Sequence, residues 1–377
     1  MLKFNNFKPQ ITIESPGRIN FIGEHTDYNG GFVLPTAIDK KITFKLKSND
    51  SENLCNIYSA NFKISFSFNL DHIEISNNEW ENYVLGVIHE IQQLSDKLRG
   101  FDCVFSSDIP VGSGISSSAA LECGLAFGLN ELFDLGLSKL TIVELSQRAE
   151  HNYVGTKCGI MDQYASVMSK KGHAILLDCQ SIKHEYIPIQ IKPYKILLIN
   201  TNVAHSLATS EYNIRREECE KGVEIIKSVY PEISTLRDVN EMMLKEVKSI
   251  LPEVIYTRCE YVVDEKSRVL DAVEALKENR LKDFGNLMYA THQGLSNKYE
   301  VSCPELDFLV EYSKAYDTII GSRMMGGGFG GCTINLIHEE AVTGFIEDVS
   351  KAYFEKFNIH LDAFQANPRE GTSILKK

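Results

Sequence analysis

The chain has 377 residues, of which 43% are hydrophobic and 24% are charged, proportions typical of a folded globular protein rather than a disordered one. Its formal net charge of −12 argues against a broad nucleic-acid-binding surface, although a local cradle of backbone amides can still hold one anionic ligand. The length predicts two domains, which we place at residues 1–185 and 186–377.

The N-terminus and the cysteines together favour a cytoplasmic protein. Residues Met1–Gln10 lack the apolar core of a signal peptide, and no apolar run approaches the length of a membrane span. The nine cysteines are scattered singly, without a C-x-x-C pair or a His/Cys cluster at metal spacing, which is typical of reduced, buried thiols. We therefore expect no membrane contact, and the lack of a long apolar heptad pattern favours a monomer.

Alternating apolar and polar residues predict strands in the first part of the chain. These strands are Ile11–Glu14, Arg18–Ile22, Val33–Lys47 and Leu54–Phe68. Trp80 then begins a helical pattern of apolar residues and is the only tryptophan of the chain. Its side chain would be a core anchor or, alternatively, a stacking partner for a purine.

The loop between the second and third of these strands, Glu24–Gly31, is too polar for a core. Glu24, His25 and Asp27 offer several acceptors and a donor close together, as a site that grips several sugar hydroxyls requires. Such a site discriminates strongly between sugars, because a sugar that lacks one of the hydroxyls would leave a buried charge unpaired. A solvated turn is the alternative, and a lone histidine is more often structural than functional.

A second loop, Pro110–Ala120, has the sequence P-V-G-S-G-I-S-S-S-A-A. Its glycines let the backbone approach a ligand closely, and its three serines stand where the following helix needs caps. Leucines at three- and four-residue spacing from Leu121 onward predict that helix. Free amides and the positive end of the helix dipole would make a cradle for phosphate, whereas the alternative is an ordinary loop with a serine cap.

Two acidic residues near the middle of the chain stand at helix positions from which they can reach a site. A helix is predicted from a capping box at Thr141 and Glu144. Glu150 lies about 140° from the nearest leucine of its apolar stripe, so it either points away from the core or is a solvated surface residue. Gly159 breaks the chain before a short helix whose first turn carries Asp162, where the helix dipole favours a carboxylate. An aspartate at this place is also a common helix starter.

The second half of the chain is predicted to be mainly helical. Strands are expected at His173–Asp178, Tyr194–Asn200, Thr333–Ile337 and Asp362–Ala366, and helices at Leu207–Tyr230, Pro252–Glu278, Arg280–Tyr299, Pro304–Tyr316 and Glu340–Phe357. A further glycine loop, Met324–Cys332, formally matches the dinucleotide fingerprint, but a strand rather than a helix follows it. The chain also lacks the P-loop and protein-kinase signatures. Two glycine loops, one in each half, predict a nucleotide held across a cleft between domains.

Four stretches carry a resemblance to the galactokinase family. Residues Gly17–Gly31 (G-R-I-N-F-I-G-E-H-T-D-Y-N-G-G) resemble the galactokinase signature. Pro110–Ala120 and Met325–Cys332 resemble the second and third motifs of the wider GHMP kinase superfamily. The order and spacing of these three stretches also match, and Gly159–Gln163 (G-I-M-D-Q) is similar to the galactokinase catalytic segment. The superfamily motifs alone would leave mevalonate or homoserine kinase open, whereas the E-H-T-D stretch is specific to the galactokinase branch.

The resemblance implies an α+β fold of two domains, the GHMP-kinase fold, with the active site in the cleft between them. It implies that Asp162 faces the attacking 1-hydroxyl of galactose with Arg18 beside it, and that Ser118 and Glu150 hold Mg²⁺. The sugar-binding residues carried over by position are Glu24, His25, Thr26, Asp27, Gly159, Asp162 and Tyr212. The nucleotide-binding residues carried over are Ser59, Trp80, Gly112, Ser113, Gly114, Ile115, Ser116, Ser117 and Ser118.

The activity implied by this resemblance is transfer of the γ-phosphate of Mg-ATP to the 1-hydroxyl of galactose, giving galactose 1-phosphate and ADP. Phosphoryl transfer needs an in-line nucleophile, Mg²⁺ across the phosphates and positive charge for the transition state. Asp162 can accept the sugar proton, and Arg18 can supply that charge. The alternatives are a kinase of another galactose-like sugar, such as N-acetylgalactosamine or galacturonate, and a regulator that binds galactose and ATP without turnover. Such regulators are expected to alter the loop after the third serine, and Ser118-Ala119-Ala120 is intact here.

Overall fold

A computed structural model of the protein describes residues 7–203 and 208–377. Its strands are β1 (Ile11–Asn20), β2 (Phe32–Val33), β3 (Pro35–Ser48), β4 (Leu54–Ser59), β5 (Ile64–Asn69), β6 (Phe101–Ser107), β7 (His173–Asp178), β8 (Lys183–Pro188), β9 (Tyr194–Asn200), β10 (Ile319–Met324), β11 (Cys332–His338), β12 (Asp362–Ala366) and β13 (Ser373–Lys376). Its α-helices are α1 (Glu79–Gln92), α2 (Ser117–Phe133), α3 (Lys139–Ala149), α4 (Met161–Met168), α5 (Ala208–Lys227), α6 (Glu241–Glu246), α7 (Glu253–Lys277), α8 (Leu281–Asn297), α9 (Pro304–Ser313) and α10 (Val342–Phe357).

A sheet of six strands, in the order β13-β1-β3-β6-β4-β5, supports the serine-rich loop. Its neighbouring strands are antiparallel except β4 and β6, which run parallel. Helix α2 lies so close to β1 and β3 that a side chain on Gly124 would come within 2.3 Å of the Phe44 ring. This close contact fixes the start of α2, and therefore the serine-rich loop before it, relative to β1.

The second half of the chain builds a sheet of four strands in the order β10-β11-β9-β12. Strand β10 also contacts α8, where a Cβ on Gly285 would lie 1.8 Å from the carbonyl oxygen of Ile320. The glycine loop joins β10 to β11 as the turn of an antiparallel hairpin. A third sheet, β2-β7-β8, follows directly on the polar loop that begins at Glu24. Each of the three loops singled out in the sequence thus begins or ends close to the end of a strand.

Most of the predicted elements are confirmed, but several predicted strands have different bounds, and β6, β8, β10 and β13 are absent from the prediction. Residues 11–20 form one strand rather than two, with an irregular register between Pro16 and Arg18. The predicted strand at residues 54–68 is a hairpin of β4 and β5. Strand β10 is absent from the prediction because Gly321, Ser322 and Arg323 interrupt its apolar pattern, although all three are buried.

The side chains predicted to cap helices act differently. Ser138 caps α3, because its Oγ accepts the N–H of Thr141 at 3.0 Å. The predicted capping box at Thr141 and Glu144 is therefore wrong by one helical turn. Ser116 stands at the start of α2 with φ of 60° and makes no side-chain cap there; its hydroxyl donates to Asp162 instead.

The boundary expected between residues 185 and 186 stays a prediction. Strand β13 pairs with β1, so the described end of the chain returns to the sheet that the first strand builds. The predicted helix from Leu207 is seen from Ala208 as α5, and Leu207 itself lies outside the described residues. Within residues 7–203 and 208–377, no helix is both long and apolar enough to cross a lipid bilayer.

Candidate active site

A buried ion pair joins β1 to the first turn of α4. Arg18 donates from Nε and from Nη2 to the two carboxylate oxygens of Asp162, each at 2.8 Å. The Arg18 side chain is 5% exposed, whereas that of Asp162 keeps 24% of its surface exposed. Arg18 Nη1 also donates to the carbonyl oxygen of Gly114 at 2.6 Å. The carboxylate is therefore held rigidly by a charge on one side and remains open to a substrate on the other.

The phosphate loop, residues 110–118, lies directly beside this pair. Gly112 and Gly114 adopt φ of 74° and 71°, a conformation that favours glycine. The Ser113 hydroxyl donates back to the carbonyl oxygen of Pro110 at 2.7 Å and so closes the loop on itself. The first amides of α2 have no acceptor within the helix. The loop thus presents amides at a helix start near Asp162, and the predicted phosphate cradle stays a prediction.

The acidic loop, residues 24–31, begins with a glutamate that is tied to the second half of the chain. Glu24 is buried, and its Oε1 accepts from Arg323 Nη2 at 3.1 Å and from the N–H of Gly326 at 2.9 Å. Arg323 is fully buried and also donates to the carbonyl oxygens of β1 and of Phe21 just after it. Arg323 was not predicted as a site residue. Its guanidinium pairs with Glu24 and so offsets part of the free-energy cost of burying this carboxylate.

Asp27 faces the start of α4. Its Oδ2 lies 3.4 Å from the N–H of Met161, and a Cβ on Gly159 would come within 2.0 Å of its carboxylate. Only glycine therefore fits at residue 159 while Asp27 keeps this position. Burial raises the pKa of Asp27 from 3.8 to about 7, and the negative charges of Asp162 and Glu24 raise it as well.

This raised pKa gives Asp27 a pH-dependent effect on stability. In the unfolded chain the carboxyl ionises near pH 3.8 and in the folded protein near 7, so folding takes up a proton between these values. The free energy of unfolding then falls as pH rises, by at most about 1.4 kcal/mol per pH unit. Asp27→Asn has no carboxyl group at this position and so lacks this decrease in the free energy of unfolding. We therefore expect the variant to become more stable relative to wild type as pH rises from 3.8 to about 7. Urea unfolding at about pH 5 and pH 8 measures the difference.

The exposed Asp317→Asn variant is the control for the general effect of removing a carboxylate. Its stability relative to wild type should not change over the same pH range. A stability difference between Asp27→Asn and wild type that is equal at both pH values would contradict the assignment.

The ring of His25 is held on both edges by the protein. Nδ1 lies 2.8 Å from the hydroxyl of Tyr28, and Nε2 lies 3.2 Å from the carbonyl oxygen of Gly327. The ring also packs against Tyr212, with centroids 5.1 Å apart. Burial lowers the pKa of His25 to about 4, so the ring is neutral at neutral pH. Its predicted contact with a sugar hydroxyl stays a prediction, and both ring nitrogens already have partners.

Thr26 and Tyr212, two further predicted sugar-binding residues, differ in placement. The Thr26 hydroxyl lies 2.8 Å from the carbonyl oxygen of Gly23 and 2.6 Å from that of Phe32, so it ties the loop together rather than facing outward. Tyr212, on α5, lies beside the ring of Tyr28 at 5.5 Å and faces the same space as Asp162. The structure thus gives Thr26 a role in holding the loop and leaves Tyr212 in position for a ligand.

These side chains enclose one polar cavity of about 110 Å³, here called the acceptor cavity. Its predicted lining residues are Arg18, Glu24, His25, Asp27, Glu150, Asp162 and Tyr212. Thr156, Cys158 and Met161 also line it and were not predicted. They precede or begin α4, and no single one of them has a distinctive sequence pattern.

Glu150 points inward rather than into solvent. A π turn over Glu150–Val154 follows α3 and buries the carboxylate, which accepts from Gln163 Nε2 at 2.7 Å and lies near the hydroxyl of Ser118. Burial raises the pKa of Glu150 to about 7, and the charge of Asp162 adds to this. A carboxylate and a hydroxyl are hard oxygen donors, which Mg²⁺ prefers when phosphate oxygens and waters complete its shell. Ser118 and Glu150 therefore fit the ion that the sequence predicted there.

Glu122 is a buried carboxyl that the sequence analysis missed. It lies on α2, with Oε2 at 3.5 Å from Gln163 Nε2. Burial, and then the negative charge of Glu150, raise the pKa of Glu122 well above its usual range. Its spacing of four residues from Ser118 places both on one face of the helix, and this spacing is the signal that could have found it.

A second, largely apolar pocket of about 220 Å³ lies beyond the phosphate loop. Trp80, Tyr83 and Phe105 contribute its apolar walls, and Ser118 lies at one end. The hydroxyl of Ser59 is buried here with no partner among the described residues, so it is free to bond to a ligand. A flat apolar pocket with one unused hydroxyl suits a purine. Trp80 lines this pocket and also packs against the hydrophobic core. Its position is therefore compatible with both alternatives, core packing and base stacking.

The glycine loop, residues 325–331, touches the phosphate loop. A Cβ on Gly326 would lie 3.0 Å from the carbonyl oxygen of Gly114, and one on Gly114 would lie 3.3 Å from that of Met325. Gly326 and Gly327 line the acceptor cavity, whereas the apolar pocket is lined by residues between 42 and 121. The second loop thus forms a wall of the acceptor cavity, and the expectation that a nucleotide is held between the two glycine loops stays a prediction.

Three family models match the chain. The galactokinase galactose-binding signature matches residues 3–47, the GHMP kinases N terminal domain residues 82–170 and the GHMP kinases C terminal model residues 272–356. The galactokinase of Thermosipho africanus is 40% identical over 370 residues, which are 97% of this chain and 100% of that protein. The chain belongs to the galactokinase family. The galactokinase of Halalkalibacterium halodurans is also 40% identical, over 91% of this chain and 87% of its own length.

Solved structures agree with this family. The crystal structure of Lactococcus lactis galactokinase complexed with galactose has a TM-score of 0.92 at 34% identity, covering 96% of this chain and 94% of that one. The mevalonate kinase of Methanococcus jannaschii has a TM-score of 0.64 at 21% identity, over 96% and 98% of the two chains, and shows a shared fold alone. The predicted α+β GHMP-kinase fold and the resemblance to galactokinases are confirmed.

Proposed function

We propose that this chain transfers the γ-phosphoryl group of Mg-ATP to the 1-hydroxyl of galactose, giving galactose 1-phosphate and ADP. The observation that carries the proposal is the Arg18–Asp162 pair in the acceptor cavity, directly beside the phosphate loop. The L. lactis relative whose crystal structure contains galactose supports the choice of sugar. The family membership supports the choice of phosphoryl transfer.

The two members of the ion pair divide the chemistry between them. Asp162 accepts the proton of the 1-hydroxyl as that oxygen attacks the γ-phosphorus. Arg18 and Ser116 both donate to its oxygens, so the carboxylate is oriented before the sugar arrives. The guanidinium also brings positive charge to the place where negative charge develops in the transition state.

The charges of the acceptor cavity favour a neutral sugar. Its walls hold four carboxyl groups, of Glu24, Asp27, Glu150 and Asp162, and a single guanidinium, of Arg18. A sugar that carries its own carboxylate would meet charge of the same sign at short range. Galacturonate is therefore expected to be a poor acceptor compared with galactose.

The nucleotide lies between the apolar pocket and the acceptor cavity in this proposal. Trp80 and Ser59 hold the base, and the amides of the phosphate loop hold the phosphates. Ser118 lines the apolar pocket, Glu150 lines the acceptor cavity, and the two side chains lie near each other. Mg²⁺ held by these two residues would supply positive charge across the phosphates at the junction of the two pockets.

A methyl group at residue 159 is expected to block the acceptor without affecting the nucleotide. In Gly159→Ala the new Cβ would lie 2.0 Å from the Asp27 carboxylate, so Asp27 must leave its position. We expect KM for galactose to rise about 100-fold, which corresponds to roughly 3 kcal/mol of lost binding, with KM for ATP little changed. Gly344→Ala, on α10 with open space around it, is the matched control. Equal KM values for galactose in the two variants would refute this placement of Asp27.

The proposal is tested by ADP release from Mg-ATP with a panel of acceptors. The panel contains galactose, glucose, N-acetylgalactosamine, galacturonate, mevalonate and homoserine. We expect strong turnover with galactose and little with galacturonate, mevalonate or homoserine. Faster turnover with N-acetylgalactosamine or galacturonate than with galactose would overturn the choice of sugar. Saturable galactose binding without ADP release would identify a regulator instead of a kinase.

A further inference from the structure

The hydrogen bonds of His25 define which of its nitrogens carries the hydrogen. The carbonyl oxygen of Gly327, 3.2 Å from Nε2, can only accept. Burial lowers the pKa of His25 to about 4, so the ring is neutral and has one N–H. That hydrogen is therefore on Nε2, and Nδ1 must accept from the hydroxyl of Tyr28 at 2.8 Å.

This tautomer sets the direction of a longer chain of hydrogen bonds. The Tyr28 hydroxyl gives its single hydrogen to His25, so it must accept from the hydroxyl of Tyr299 at 2.8 Å. Tyr299 in turn gives its hydrogen to Tyr28 and accepts from the thiol of Cys219 at 3.1 Å. Cys219, Tyr299 and His25 are all buried. Each group in this series donates one hydrogen in the same direction. The series runs from Cys219 on α5 through Tyr299, which follows α8, and Tyr28 to His25 at the acceptor cavity.

The chain of donors ends on the wall of the acceptor cavity. His25 donates to the carbonyl oxygen of Gly327, and the preceding residue, Glu24, accepts the N–H of Gly326 at 2.9 Å. Two adjacent residues of the acidic loop thus hold two adjacent residues of the glycine loop, one through a donor and one through an acceptor. Tyr212 packs over this point, because a Cβ on Gly327 would lie 3.3 Å from its ring.

We propose that Tyr28 is a positioning residue for His25: its hydroxyl and the carbonyl oxygen of Gly327 together hold the ring as the Nε2–H tautomer, so that His25 and Glu24 keep the glycine loop in place as a wall of the sugar site. In the other tautomer the lone pair of Nε2 would face the carbonyl oxygen of Gly327, and this contact would be repulsive. The consequence for catalysis rests on the function proposed above, whereas the tautomer itself does not depend on it.

The first test is the tautomer in the unliganded wild-type protein. Ring-nitrogen chemical shifts of ¹⁵N-histidine-labelled protein distinguish Nε2–H from Nδ1–H, and the loss of one set of signals in His25→Gln assigns His25 among the ten histidines. We expect the Nε2–H pattern. The Nδ1–H pattern, or a doubly protonated ring at neutral pH, would overturn the proposal whether or not the protein phosphorylates galactose.

The second test uses the isosteric variants Tyr28→Phe and Tyr299→Phe. Tyr28→Phe removes the donor to Nδ1 and leaves that buried nitrogen without this partner, so we expect the Nδ1 chemical shift to change while Nε2 keeps its hydrogen. We also expect a rise of about tenfold in KM for galactose, with KM for ATP unchanged. Tyr299→Phe keeps the donation from Tyr28, so we expect the wild-type tautomer and a KM for galactose within about twofold of wild type.

Three results of the second test would count against this role of Tyr28. They are an unchanged Nδ1 chemical shift in Tyr28→Phe, an equal rise of the two KM values, and equal effects of the two variants on KM for galactose. A role in stability alone would lower the melting temperature of both variants without changing the Nδ1 shift. If wild type releases no ADP with galactose, the proposed function fails, and the nitrogen shifts still decide the tautomer.

Discussion

Replacing Asp162 by asparagine is expected to lower kcat with galactose by about 1,000-fold while Mg-ATP still binds. Asparagine keeps the shape of the side chain and can accept from Arg18 through its amide oxygen, but it cannot take a proton from a hydroxyl. Nucleotide binding is measured separately, because Trp80 is the only tryptophan of the chain and lines the apolar pocket. Its fluorescence should change on addition of Mg-ATP in wild type and variant at similar concentrations.

The companion variant Asp162→Ala separates catalysis from folding. It leaves the buried guanidinium of Arg18 without the two hydrogen bonds at 2.8 Å, and losing the partner of a buried charge costs about 3 kcal/mol or more. We therefore expect both variants to lose turnover and Asp162→Ala alone to be clearly destabilised. Near-normal turnover in either variant would refute the role of Asp162.

Replacing Glu150 by glutamine is expected to lower kcat by about 100-fold or more at a Mg²⁺ concentration that saturates wild type. The amide oxygen is neutral and therefore a weaker ligand for Mg²⁺ than a carboxylate. Since burial already raises the pKa of Glu150 to about 7, a neutral side chain at this place should not destabilise the fold. Initial rates measured against free Mg²⁺ should show a higher concentration for half-maximal activity.

The matched control is Glu90→Gln. Glu90 is a buried carboxylate that pairs with Arg148 at 2.7 Å and does not line the acceptor cavity. We expect this variant to lose stability and to keep the wild-type dependence on Mg²⁺. The assignment of the Mg²⁺ site would be contradicted if both variants shifted that dependence equally, or if Glu150→Gln left it unchanged.

Local patterns in the sequence predicted the parts of the site that depend on local structure. The break at Gly159 placed Asp162 in the first turn of α4, and the structure has it there. The angular position of Glu150 predicted that it leaves the apolar stripe of α3. Its burial could not be predicted, because it depends on the π turn after α3 and on Gln163 from another helix.

The parts that the sequence could not predict depend on contacts between distant residues. Arg323 lies in a segment without strand periodicity, and its acceptors are backbone oxygens and Glu24 about 300 residues earlier in the chain. One of the two hydrogen-bond partners of His25 is similarly remote, since Gly327 comes from the second half of the chain. The sequence shows that such polar residues are present, but only the folded structure shows which of them form hydrogen bonds with one another.

The Arg18–Asp162 pair is proposed to direct phosphoryl transfer to the 1-hydroxyl of galactose. ³¹P NMR of the products formed from Mg-ATP and galactose tests this role most directly. We expect ADP and galactose 1-phosphate in equal amounts, with the sugar phosphorus coupled to the hydrogen on C1. Phosphate on any other sugar oxygen, or unchanged ATP in the presence of bound galactose, would contradict it.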